Sequence, residues 1–139
     1  MKVHALLRKK SRPVHTIAGN RSIGDAVRLM TGKKVSALIV TENDQPAGIF
    51  AERDVYRLYL RDKHAALSKT ELGNAMTRKL IVADLDDDLS QVLALMMKAD
   101  IKHLPVIEEK KVIGINTYNK HSGVNRWLYK LDAVLMQND

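Results

Sequence analysis

Residues 48–55, GIFAERDV, set a glycine and an apolar run directly against a charged triplet, Glu52, Arg53 and Asp54. A carboxylate acceptor and a guanidinium donor at the exit of a strand are groups that hold polar ligands. The other ionisable residues do not extend them into a catalytic set. The five histidines, His4, His15, His64, His103 and His121, lack the i, i+4 pairing of a helical metal site. His103 with Asp54 suggests an acid–base pair, yet no nucleophile accompanies them. There is no Walker A loop, dinucleotide-binding glycine fingerprint or nucleophile elbow. With no cysteine, a disulfide framework, a thiolate metal site and a thiol nucleophile are all excluded. The residue types point to binding rather than to an enzyme, with no metal site and no obligatory cofactor.

The elements that position these groups must come from a chain of 139 residues. That is enough to bury about 68–70% of the unfolded surface, in one domain or two intimately packed halves. Its longest uncharged run, LSQVLALMM, is nine residues, far short of a membrane span. The start, MKVHALLRKKSR, is interrupted by charge too soon for a secretory signal. A soluble, cytoplasmic protein is expected. The net charge of +7 favours anionic partners such as nucleic acid or phosphorylated metabolites, but it also serves solubility alone. Only Arg8, Lys9, Lys10 and Arg12 cluster, and aromatic residues make up just 4% of the chain, which argues against a nucleic-acid platform.

The strongest signal is an internal duplication. Gly48-Ile49 returns 66 residues later as Gly114-Ile115, and the chain aligns on itself at that offset without a gap. Ile23, Ala26, Val27 and Met30 form an i, i+3, i+4, i+7 helical face, repeated by Leu89, Val92, Leu93 and Met96. Ser22 with Asp25, and Asp88 with Gln91, are capping signals at the two helix starts. Each copy reads as a short strand (VHTI; LIVA), the helix, a buried strand (VSALIV; KHLPVI), a turn (ENDQ; EEKK), a third strand (AGIFA; VIGINT) and a second helix. The expected organisation is residues 1–62 as a first repeat with an N-terminal helix bearing Val3, Leu6 and Leu7, 63–79 as a connector, 80–125 as a second repeat, and 126–139 as an amphipathic helix. In that last helix Trp127, Leu131, Val134 and Leu135 share one face, suited either to packing on this chain's own core or to dimerisation.

GIFAERDV, AMTRK, IKHLPV and the ungapped duplication together resemble a CBS-domain pair, over nearly the whole chain from about Val3 to about Val124. The similarity is greatest to small stand-alone bacterial proteins made of two CBS repeats. The resemblance implies an α/β (α+β) fold of two tandem β-α-β-β-α repeats packed with pseudo-two-fold symmetry. It also implies a regulatory sensor that binds an adenosine-containing ligand, AMP or ATP, in a cleft between the repeats, and a homodimer acting on an unknown protein target.

In the family an Asp at the first turn after the third strand accepts both ribose hydroxyls, and a Ser or Thr three residues earlier assists. Carried over, the first repeat keeps Asp54 but has Ala51 at the hydroxyl position; the second keeps Thr117 but has Lys120 in place of the carboxylate. The preferred site therefore joins Asp54, Arg53 and Ala51 to Ile81, Val82, Ala83, Lys102 and His103, the last two as phosphate-facing groups. The other site, of Thr16, Ser36, Ala37, Thr117 and Lys120, is degraded, since a lysine cannot accept from a diol. Taken singly, Asp54 also suits the positive end of a helix dipole and Thr117 an N-cap. A basic nucleic-acid-binding protein and a structural dimerisation module with decayed sites are the alternatives.

Overall fold

The computed structural model describes residues 1–7, 14–61, 67–78, 80–118 and 129–130. The chain divides into two units, one of residues 15–80 and one of residues 1–14 with 81–139.

The 15–80 unit holds β1 (Thr16–Ala18), α2 (Ile23–Lys33), β2 (Ala37–Glu42), β3 (Gln45–Ala51) and α3 (Glu52–Arg61), with the sheet in the order β1-β2-β3. Ser22 starts α2 by accepting the Asp25 N–H at 3.1 Å. Lys34, in the left-handed region at φ 56°, ends it, while the Val35 N–H returns to the Met30 carbonyl. Ile23, Ala26 and Met30 pack inward with Leu38, Val40 and Phe50, whereas Val27, placed on the same face by its spacing, is 37% exposed at the stripe's margin. Central β2 is buried from Ala37 to Val40, the continuous apolar run expected of a strand covered on both faces.

The second unit contains α1 (Val3–Leu7), α4 (Leu89–Lys98), β4 (His103–Glu108), β5 (Lys111–Tyr118) and β6 (Tyr129–Lys130), with the sheet in the order β4-β5-β6. Asp88 caps α4, although onto Ser90 (N–H at 2.9 Å, hydroxyl at 2.7 Å) rather than the expected Gln91. All four predicted face residues, Leu89, Val92, Leu93 and Met96, are buried.

The duplication is visible in every rung of the two hairpins. Ala37 faces Ala51 as His103 faces Thr117, Val40 faces Gly48 as Val106 faces Gly114, and both ladders slip by one residue after that rung. Both turns put two successive residues at positive φ: Asn43 (53°) and Asp44 (61°), Glu109 (49°) and Lys110 (65°). That is the geometry of a tight hairpin whose twist matches its strands. The LIVA strand is reduced to a single parallel bridge, Ala83 to Val106, because only Ala83 exchanges ladder bonds with β4.

Three boundaries differ from expectation. The N-terminal helix packs with the second repeat, not the first: Val3 is fully buried against Ala83, Leu89 and Leu104, and its N–H bonds the Asp87 carbonyl at 3.1 Å. Residues 67–78, read as a connector, complete the first unit. Leu72 and Met76 enter its core, and Thr77 exchanges two 3.0 Å backbone bonds with Ile49. The two dockings correspond. Leu72 N–H bonds the Arg21 carbonyl and Gly73 N–H the Gly19 carbonyl, as Val3 bonds Asp87 and His4 bonds Leu85 on the other unit. A short segment outside the strand–helix repeat thus closes each module, which apolar periodicity does not reveal because each segment carries only one or two core residues among the described ones. Finally, Tyr129 and Lys130, expected in a helix, pair with Tyr118 and Thr117 as strand β6 and satisfy the free edge of β5. The rest of that C-terminal segment lies outside the described residues, as do the second helix of the second repeat, the side chains of Leu6 and Leu7, and the Arg8–Arg12 cluster. No described helix is long and apolar enough to cross a membrane.

The paired turns differ in strain. Asn and Asp tolerate the left-handed region, whereas Glu109 and Lys110 occupy it against a steric cost of about 1–2 kcal/mol each. Lys110→Gly is expected to raise stability by about 1 kcal/mol. The urea midpoint should move upward with an unchanged m-value; a midpoint that stays or falls would show that the turn holds no such strain.

Candidate functional site

In the 15–80 unit, β1 and β2 begin, and β3 ends, at the same end of the sheet. That end gathers six of the predicted site residues. Ala37 pairs with Ala51, the Ser36 carbonyl accepts the Glu52 N–H at 3.1 Å, and Thr16 lies one strand over beside Ile39. Arg53 and Asp54 follow immediately in the first turn of α3.

Gly48 explains how β3 reaches this position. A Cβ there would stand 2.6 Å from the Met76 sulfur and 2.7 Å from the Thr77 carbonyl, so only glycine lets the 75–78 segment lie against the strand. Arg78 then clamps Glu42 with two bonds, at 2.7 and 3.2 Å, and reaches the Gly73 carbonyl at 2.7 Å. The AMTR residues thus brace the first sheet, a structural role that their motif resemblance did not disclose.

Asp54 is the chemically distinctive group. Its Oδ2 accepts the Ala51 N–H at 2.9 Å, the reach-back of an N-terminal helix carboxylate. Burial pushes its pKa up, against the opposing effects of that hydrogen bond and of the Arg57 and Arg53 charges. Its second oxygen has no hydrogen-bond partner among the described residues. The helix-terminus reading of Asp54 is therefore correct for one oxygen, and the other remains able to accept a ligand hydroxyl. Nearby His15 is shifted down by burial and by the Lys33 charge, which favours its neutral form.

The second unit shows the corresponding sheet end with different side chains. His103 pairs with Thr117 across β4 and β5; Lys102 and His103 are half-buried at the start of β4. Ile81 packs against the core, Val82 is exposed and Ala83 is buried on its bridge to Val106. Thr117 also pairs with Lys130, while its side chain, and Lys120 altogether, lie outside the described residues. Each of the two expected sites draws residues from both units. No group of three or more His, Asp or Glu among the described residues is placed to hold a metal.

One charged cluster that motif reading passed over lies in the first unit. Asp25 accepts from Arg21 Nε at 2.9 Å and from Arg28 Nη2 at 2.6 Å. The i, i+3 and i+4 spacing of these residues is legible in the sequence.

With the geometry established, comparison with known proteins assigns the family. Residues 7–61 and 71–115 match the CBS domain, and the chain belongs to that family. It is 35% identical over 99 residues to the mitochondrial CBS domain-containing protein CBSX3 of Arabidopsis thaliana, covering 68% of this chain and 48% of that one. The chain thus spans about half the length of that curated relative. Among solved structures, a CBS-domain containing protein from Agrobacterium tumefaciens superposes with a TM-score of 0.77 at 30% identity, covering 84% of this chain and 87% of that one. The CBS domain pair of protein MJ0100, solved with 5'-methylthioadenosine and S-adenosyl-L-methionine, gives a TM-score of 0.72 at 25% identity and covers 84% and 89%.

The raised pKa of Asp54 has a signed consequence. A carboxyl whose folded pKa lies above its unfolded value favours folding when protonated, and that contribution is lost as pH rises through the folded pKa. Asp54→Asn retains an oxygen for the Ala51 N–H and removes the buried charge. At pH 7 the variant should unfold at a higher temperature than the parent. The difference should shrink as pH falls through the raised pKa and vanish below the ordinary value near about 3.9. Thermal midpoints of both proteins across that range check this; a variant no more stable at pH 7 would refute it.

Proposed function

We propose that this protein is a regulatory module that binds an adenosine-containing ligand, with Asp54 accepting a ribose hydroxyl. The observation that carries the reading is the Asp54 carboxylate itself: half-buried, costly to ionise, and with one oxygen that no described residue bonds. Perturbed carboxylates cluster at functional sites. The adenosyl ligands in the MJ0100 domain pair support the ligand class. AMP, ATP and S-adenosylmethionine share the ribose diol that this chemistry selects. Lys102, His103 and Arg53 are assigned to an anionic tail, Ile81, Val82 and Ala83 to the base, and Ala51 to a wall that lacks the family's hydroxyl. A missing neutral hydrogen bond weakens binding by about 0.5–1.5 kcal/mol. The site built on Thr16, Ser36, Ala37, Thr117 and Lys120 is assigned no ligand, because lysine offers no acceptor. The module's output goes to a protein partner and requires no reaction of its own.

Ligand at a hundred times its dissociation constant should stabilise the fold by about 2.7 kcal/mol. Calorimetric titration with AMP, ATP, NAD and S-adenosylmethionine should give one site per chain, lost in Asp54→Ala. No binding by any of the four, or undiminished binding by Asp54→Ala, would overturn the reading.

We further assign α3 to a homodimer contact. Tyr56, Tyr59 and Leu60 form an i, i+3, i+4 patch with exposures of 64, 63 and 70%. An antiparallel copy of the helix would set acidic Glu52 against basic Arg61. Sedimentation should show a dimer that Leu60→Glu converts to monomer; a monomeric parent would exclude it.

A further inference from the structure

Beside the edge strand β1 the first unit carries a cleft of about 550 Å³ lined by Thr16, Ile17, Arg21, Asp25, Arg28 and Leu29. We propose that this cleft is a separate binding site for a small oxyanion attached to an apolar group, such as an aromatic phosphate monoester or carboxylate.

A single carboxylate holds both arginines. Asp25 lies between them and takes one bond from each, Arg21 Nε on Oδ2 and Arg28 Nη2 on Oδ1. The two guanidiniums hold its pKa far below the usual carboxylate range, so the cluster stays fully ionised in mildly acidic solution. The trio carries one net positive charge. Each guanidinium has five N–H donors, and among the described residues only the contacts to Asp25 use any of them. Both Nη groups of Arg21, and the Nε and Nη1 of Arg28, remain available. Arg21 and Arg28 are 60% and 72% exposed, while Asp25 is 27% exposed. The carboxylate therefore sits beneath two forks whose remaining donors face solvent, a geometry that restricts their rotation before any ligand arrives.

The rest of the lining sets the ligand's other half. Ile17 and Leu29 give an apolar wall, and Thr16 adds a hydroxyl at the start of β1. A volume of this size accommodates a small organic molecule. A free inorganic ion would use the donors but leave the wall uncovered.

The fold does not require the cluster. At the corresponding positions of the second copy stand Asp87, Gln91 and Ala94 in place of Arg21, Asp25 and Arg28, with Val82 in place of Thr16. Those residues retain the helix and its buried face without any guanidinium. The site uses neither Asp54 nor any other residue assigned to the adenosyl ligand, since Thr16 belongs to the expected site to which no ligand is assigned, and it stands if that reading fails.

Three probes at constant ionic strength test it: phenyl phosphate, benzoate and inorganic phosphate, followed through the arginine Nε–H resonances and by calorimetry. Phenyl phosphate or benzoate should shift the Arg21 and Arg28 signals saturably, and the stronger of the two identifies the oxyanion. Inorganic phosphate should bind more weakly than phenyl phosphate. Arg28→Lys keeps the charge but loses the fork and should weaken binding about tenfold; Arg21→Gln with Arg28→Gln should abolish it. Lys111→Gln, which removes an exposed charge outside the cleft, should leave it unchanged. Unsaturable shifts with all three probes, equal affinity for phenyl phosphate and inorganic phosphate, or full affinity in the double variant would overturn the proposal.

Discussion

The 2.9 Å bond from the Ala51 N–H to the Asp54 carboxylate fixes the candidate site. It couples the last residue of β3 to the first turn of α3, so the strand end and the helix start turn as one piece. A carboxylate tied in this way has one oxygen set by the backbone and the other directed by the same constraint. Burial then makes its charge expensive and raises its pKa despite two neighbouring arginines. A side chain that served only as a helix cap would be better placed in solvent, where capping a backbone donor carries no desolvation cost.

The duplication separates what the module needs from what one copy has added. Both copies keep the hairpin register, the slip after Val40 and Val106, the two positive-φ turn residues and the left-handed helix ends at Lys34 and Asp100. All of these are backbone requirements, and strand register in particular cannot drift where a face is buried. What differs is residue type at matched positions of the duplication: Ala51 against Thr117, Asp54 against Lys120, Ala37 against His103. Duplication conserved the frame and left the polar groups free to diverge.

Much of the frame was legible because it rests on short-range patterns. The helical stripes at Ile23–Met30 and Leu89–Met96, the strands and the turn positions follow from periodicity and from an offset that needs no gap. The sequence divides Ala51, Arg53 and Asp54 from Thr16, Ser36 and Ala37 between two sites, and only the strand order β1-β2-β3 shows all six at one sheet end. What stayed hidden depends on long-range pairing. The docking of Met1–His4 on the second unit is made mostly of backbone bonds, which any sequence supplies. Its one apolar anchor, Val3, gives no period to detect. Likewise, Gly48 looks like a strand-weakening glycine until Met76 and Thr77 are found against it.

The same pairing changes how the two repeats are joined. Because residues 1–14 group with 81–139, the 15–80 unit is an insertion in the other unit's chain and is connected to it by two covalent crossings. A tandem pair on a single linker would tolerate independent movement of its halves. Here each module is completed by a segment that leads directly into the other: Val3 and its neighbours precede β1, while Leu72, Met76 and Thr77 precede Ile81. A ligand that favoured one arrangement of a unit would act on segments hydrogen-bonded within it and covalently continuous with its neighbour. In the regulatory reading proposed above, that continuity would be the physical path and the ligand's differential affinity the driving free energy.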